Sequence, residues 1–488
     1  MADKEMLMEN GSGAGDIEDN KSNKSDVSPP PDPPKIPDVE LIVDGFGFMP
    51  KTSLDDNTKS SCSSSTNIDV VRRYTWKTKN RMMVQVITYG ATITAIKVPD
   101  KRGNPDDVIA GFDTLEEYFQ ERNPYFGATI GRYANYIREA TCVVRPSGRM
   151  YMLSTNREHH HYNGGYIGFD KVNWRSYVVG NKVIMSHVSD RFSEGYPGTV
   201  MAQITYEVTC DNTIKIEMKC TTNEPTIINL SHSPYFNLAG HHSGSETMYD
   251  HIFTINADKY TPADENGLVT GEKKVVGGTP FDFRVPRLMR VQLPKIPNGG
   301  YDLNYCVTQA TEQDLTFHAR ALHPMTGRVL EVYSNKPGMQ FYTGNLLPDP
   351  DKIYEPLPGE EGEGELENGE DKSGEKAEGE ENGEESEGSE SEYGEHGSEA
   401  DSTQEKQVTG THILSIVHLS GSGNGFGYVP LMGKQGTCYK KHGLFCLMPQ
   451  NWPDAVNHSH FPSPVLNPGE LYVHRIQYKF GILLGKYV

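Results

Sequence analysis

The side chains able to do chemistry are few. His159, His160 and His161 are consecutive, but neighbours on a strand point to alternate faces, so three adjacent imidazoles do not converge. Glu158 alone completes no coordination shell, and no metal is expected. The seven cysteines (Cys62, Cys142, Cys210, Cys220, Cys306, Cys438 and Cys446) are scattered, without a Cys-x-x-Cys pair or a histidine at metal spacing. They read as free thiols of an intracellular protein. Asp302 follows Gly299 and Gly300, where a carboxylate can cap a turn, and Asn135 and Gln340 have the equally plain reading of satisfying loop backbone. None of these residues requires a cofactor.

The elements that must position them are short strands. From Val70 onward, β-prone runs alternate with turn residues: RRYTWKTKNRMMVQVITYGATITAIKVPDKRGN reads as strand, turn at Lys79–Asn80, strand, bend at Gly90, strand and turn at 100–104. MAQITYEVTC and TIKIEMKCTT, separated by Asp211–Asn212, alternate with period two and predict a hairpin. TLEEYFQ (114–120) is the one short helical candidate. Repeated strands without long intervening helices exclude an α/β fold and predict an all-β, antiparallel sandwich.

Charge is distributed unevenly along the 488 residues. Of the formal net charge of -20, residues 361–400 carry -15 (17 acidic, two lysines) and residues 1–36 carry -4 (8 acidic, four lysines), leaving -1 for the rest. That remainder has no basic footprint for nucleic acid or anionic lipid. Residues 1–36, ending in SPPPDPPKIPD, read as a disordered N-terminal arm; 37–69 as a linker in which LIVDGFGFM (41–49) could add an edge strand. The block 359–407 reads as an acidic disordered insertion, because dense like charge repels and little apolar surface offsets ordering. Strand-like sequence resumes at THILSIVHL (411–419), so one domain, 70–488, is expected to be interrupted by the insertion. A basic protein is the partner chemistry such a block suits. With no apolar run of membrane-spanning length, the chain is expected to be cytoplasmic, with no membrane contact.

The ordered segments YGATITAIKVPDKRGNPDDVIAGFDTLEEY, NPYFGATIGRYANYI, GGYIGFDKVNW, SEGYPGTV, NLSHSPYFNLAG, FDFR, GGYDLNY, PGMQFYTGN and FCLMPQNWPDAV resemble the aldose 1-epimerases, or galactose mutarotases. The resemblance implies a galactose mutarotase-like β-supersandwich with an open sugar cleft. It also implies interconversion of the α and β anomers of free hexoses: a carboxylate takes the anomeric proton while an imidazole protonates the ring oxygen.

Matched residue by residue, the polar centre of that implied site is altered. The family's base glutamate falls at Met448 and its acid histidine at Ser233, with His232 one residue earlier. Its second histidine falls at Asn163 and its arginine at Tyr136, whereas Asn135, Asp302 and Gln340 match sugar-binding positions. Arg132 and Trp174 also match, and read as packing residues. The one-residue offset turns His232 to the opposite face of a regular strand, unless a bulge at Pro234 re-aims it. The expectation is an aldose 1-epimerase-like carbohydrate-binding or scaffold protein with lost or strongly reduced mutarotase activity and a free hexose as ligand. The alternative is an active epimerase using His232 and one of His159 to His161.

Overall fold

The structure is a computed structural model describing residues 38–50, 69–145, 147–296, 299–309, 315–349 and 430–484. The arm 1–36, the insertion 359–407 and the expected strand 411–419 lie outside the described residues. Among the described residues no helix is long and apolar enough to cross a membrane.

The expected antiparallel strands form three principal sheets. The first has five strands in chain order, Val39–Phe48, Val70–Thr78, Met83–Ile87, Thr92–Pro99 and Pro105–Asp107. Its first strand contains LIVDGFGF, paired along Val70–Thr78 with Leu41 opposite Trp76 and a register shift at Gly45–Gly47. The turn at 100–104 is closed by the Asp100 carboxylate, which accepts the backbone N–H of Arg102 (2.8 Å) and Asn104 (2.9 Å). TLEEYFQ yields one helical turn, Leu115–Tyr118, whose start is fixed by Glu117 accepting the Thr114 N–H at 2.9 Å.

The nine-stranded sheet contains the predicted hairpin, Val200–Thr209 with Thr213–Thr222, followed in space by Tyr472–Ile482 and Arg328–Ser334. The burial pattern of Val200–Thr209 alternates along the strand, so Ile204, Tyr206 and Val208 enter the core. One apolar cluster joins Trp76, Val84 and Ile93 of the first sheet to Ile204, Ile216 and Tyr478 of the second. It continues to Phe341 and Leu447 of the third.

That third sheet positions the candidate site. Its strand order is Lys274–Val275, Ala257–Thr261, Asp302–Val307, Gly338–Tyr342 and Cys446–Gln450. In register, Leu303, Phe341 and Leu447 form one cross-strand row, all buried in the core. The adjacent rows, Asn304–Gln340–Met448 and Asp302–Tyr342–Cys446, therefore share the other face. Alternation thus places Asp302, Gln340 and Met448 together although nearly 150 residues separate them in the chain.

Candidate functional site

Hydrogen bonds tie the floor of this face together. Gln340 Nε2 donates to Asp302 Oδ1 at 2.7 Å, and Gln340 Oε1 accepts from Asn135 Nδ2 at 3.2 Å and Gln450 Nε2 at 3.3 Å. Three expected sugar-binding residues, Asn135, Asp302 and Gln340, are thus brought into one chain of contacts. Asp302 stays accessible to solvent, yet protein surrounds it closely enough that desolvation raises its pKa above the ordinary carboxylate value, against the Gln340 hydrogen bond and the charge of Arg157. It is thus open to solvent and yet closely surrounded by protein.

Two short loops complete the wall. Asn135 and Asn163 both adopt left-handed backbone, φ 71° and 48°, which asparagine tolerates better than most residues. They clasp each other: the Asn135 N–H donates to Asn163 Oδ1 at 2.8 Å, and the Asn163 N–H to the Asn135 carbonyl at 3.2 Å. This clasp sets Tyr136 opposite Tyr162 on paired strands, ring centroids 4.5 Å apart, with Tyr125 6.2 Å from Tyr162. The positions matched to an arginine and a histidine are therefore occupied by Tyr136, tilted against Tyr162, and by an asparagine clasped to Asn135.

The two positions matched to acid and base hold neither. Met448 is half-buried beside Gln340 and packs against the aromatic cluster of Phe126, Tyr235 and Tyr342. Ser233 is buried on the strand Ser231–Ser233, which pairs with Ala128–Ile130 without a bulge. His232, between the two serines, points the other way, between Tyr206 and Tyr478 of the nine-stranded sheet, at 6.2 and 6.4 Å. Neither of its ring nitrogens has a hydrogen-bond partner; the neighbouring Ala91 carbonyl already accepts the Tyr206 hydroxyl at 2.5 Å. Desolvation drives its pKa down to about 3. Pro234 does not re-aim it.

The histidine triplet disperses, but a turn rather than strand alternation separates it: His159 and His160 lie in the turn closed by Arg157 and His160, and only His161 is on a strand. His161 is buried, bonded to the Tyr196 hydroxyl (2.5 Å) and the Ser154 carbonyl (2.8 Å), and held neutral by burial. His160 Nδ1 accepts the Glu139 N–H at 3.0 Å, and His159 is exposed. Among the described residues no group of three or more His, Cys, Asp or Glu converges as a metal site. Asp454 is no substitute for a carboxylate at 448: its Oδ1 accepts the Arg138 N–H (3.2 Å) and Asn457 Nδ2 (2.6 Å). Arg132 is buried with its guanidinium spent on Ser189 Oγ and the carbonyls of Ser189, Asp190, Pro197 and Gly198, at 2.6–3.0 Å.

The aldose 1-epimerase family model matches residues 72–385. A galactose mutarotase of Homo sapiens is 36% identical over 401 residues, covering 82% of this chain and 92% of that protein. This chain belongs to the aldose 1-epimerase family. An aldose 1-epimerase of Escherichia coli is 31% identical over 281 residues, 57% of this chain and 79% of the bacterial protein. Among solved structures, an aldose epimerase homologue from C. elegans matches with a TM-score of 0.61 at 22% identity, covering 83% of this chain and 97% of its own. A galactose 1-epimerase from Lactobacillus acidophilus matches at 0.58 and 19%, covering 91% and 99%. At those identities the likeness speaks to the fold, and the all-β sandwich agrees with it. Membership in this family supports a carbohydrate-binding fold.

The family's motifs point past one residue. Arg157 lies 5.2 Å over the ring of Tyr162. Burial by itself lowers its pKa, but Tyr136, Tyr162, Tyr125 and Asp302 around it hold the guanidinium above its ordinary value. Its neighbours in sequence, Asn156 and Glu158, carry no pattern that singles it out. Tyr162 was more accessible to reasoning, since it immediately precedes the Asn163-Gly164-Gly165 motif and pairs with Tyr136.

Proposed function

We propose that this chain is a carbohydrate-binding member of the aldose 1-epimerase family whose mutarotase chemistry is lost or strongly reduced, with a free hexose as the simplest ligand. The observation that carries this reading is the division of one strand: Ser233 occupies the matched acid position while His232, one residue earlier, turns into the core. Met448 supplies no proton acceptor beside Gln340. Positioned acid and base groups contribute about 10²–10⁴-fold each to such a rate, so losing both leaves little beyond ground-state binding. What remains suits binding: the Asp302 carboxylate and the amides of Asn135 and Gln340 for ring hydroxyls, and tyrosines for the apolar face of a sugar. Two hollows lie elsewhere, one of about 160 Å³ lined by Arg320, Glu331 and Lys479 beside Val329 and Phe480, the other of about 370 Å³ lined by Asp190 and Arg191 beside Phe169 and His187.

The test is polarimetry of freshly dissolved α-galactose at low buffer concentration. The purified protein is expected to leave the rate within about twofold of buffer, since the positions matched to acid and base hold Ser233 and Met448. Robust turnover abolished by His232→Ala would overturn the reading and restore the active alternative.

A further inference from the structure

Arg157 is not among the residues that the family match places in the cleft, and its surroundings are built rather than accidental. The Asn156 side chain closes the loop by donating to the Tyr162 carbonyl (2.9 Å) and accepting the Tyr162 N–H (2.8 Å). Arg157 and His160 exchange both backbone hydrogen bonds, at 3.2 and 2.9 Å. This tight turn fixes the root of the side chain and lays the guanidinium over Tyr162, beside the Tyr136 hydroxyl. The tyrosine at 136 removes one cation from the matched position; the loop returns another from a different direction.

The charge is not consumed locally. Among the described residues Arg157 is in no ion pair within 4.0 Å. Asp302 is already engaged by Gln340, and its field reaches Arg157 without a direct contact. Arg132, by contrast, shows what a purely structural arginine does in this protein: every N–H group is directed at an oxygen of the fold. A guanidinium fork held against an aromatic face, with donors left for a ligand, is suited to a carboxylate or phosphate.

We infer that the cleft takes an acidic sugar, a hexose bearing a carboxylate or phosphate, with Asp302, Gln340 and Asn135 holding hydroxyls and Arg157 holding the anionic group. This rests on the carbohydrate-binding reading and narrows its substrate class. The two sources of anion share one chemistry and are separated by the probes: galacturonate for a carboxylate, galactose 6-phosphate for a phosphate.

Titrations of galactose, galacturonate, galactose 6-phosphate and inorganic phosphate into the full chain, followed by amide chemical shifts, test it. At least one acidic sugar is expected to bind about tenfold more tightly than galactose, a difference of ~1.4 kcal/mol, and the advantage should shrink as salt rises. Arg157→Met should abolish the preference, and Arg157→Lys should restore part of it. If Arg157→Met fails to fold, a shift of the Arg157 Nε resonance in the unaltered protein, produced by the acidic sugar and not by galactose, gives the same answer. Equal affinity for galactose and both acidic sugars overturns this inference but leaves the carbohydrate reading standing; inorganic phosphate binding as tightly as the sugar phosphate does likewise. Binding by none of the sugars overturns both.

Discussion

His232 is where a catalytic and a structural reading of one side chain give opposite predictions, and His232→Phe separates them. The imidazole is fully buried, at 0% relative exposure, with both nitrogens unpartnered. Unfolded, it takes a proton below about pH 6.5; folded, it refuses one until about pH 3. Its contribution to the pH dependence is therefore nil above the unfolded value, and stability is lost progressively as pH falls below it, because the unfolded state then binds the extra proton. At about pH 5 the deficit is roughly 1.5 pH units, or about 2 kcal/mol. Phenylalanine keeps the contacts with Tyr206 and Tyr478 and cannot titrate. Near pH 7.5 the variant should lie within about 2 kcal/mol of the parent, lost imidazole desolvation offsetting any overpacking. At about pH 5 the variant should be about 2 kcal/mol more stable, relative to the parent, than it is near pH 7.5. Urea unfolding of both proteins at both pH values reads this difference, and the other buried histidines, His161, His241, His251, His318, His323 and His474, cancel because both proteins contain them. A stability difference that does not move with pH, or loss of a measurable mutarotase rate in the variant, would refute the core assignment.

Other outcomes follow from the same contacts. Met448→Glu alone should leave polarimetric rates at background, because no acid serves the ring oxygen; the combination with Ser233→His, Asn163→His and Tyr136→Arg should raise the rate measurably. Lys434 Nζ donates to Asp107 Oδ2 (2.8 Å) and the Thr94 carbonyl (2.9 Å) in a buried pair. Lys434→Met should cost about 3–5 kcal/mol in urea unfolding by stranding Asp107. Arg132→Lys should cost roughly 2–4 kcal/mol, since an ammonium offers three donors where five are used. Replacing 359–407 by a short Gly-Ser linker should leave the cooperative melt in place and remove any salt-sensitive binding to a basic partner; loss of the melt would mean that the segment contributes to folding.

Strand periodicity was enough to read most of the architecture, because alternation and turn chemistry are local. The hairpin around Asp211–Asn212, the turns at 79–80 and 100–104 and the helical turn at 115–118 follow from neighbours in sequence, whereas the short helices Gly244–Tyr249 and Met289–Gln292 were not expected and the pairing of the segment 41–49, left open by the sequence, depends on a distant strand. The same period-two argument anticipated that His232 would face away from Ser233, and the unbulged pairing of Ser231–Ser233 bears out that part. Matched motifs also named Asn135, Asp302 and Gln340, but not that they would be linked in one hydrogen-bond chain, since that depends on the register of strands far apart in the chain. Arg157 was invisible for a related reason: nothing in Asn156-Arg157-Glu158 distinguishes a solvated surface arginine from one laid over a tyrosine. That distinction arises when Asn156 clamps the loop onto Tyr162 and Tyr136 packs at a tilt beside it, contacts made only once two separate segments pair.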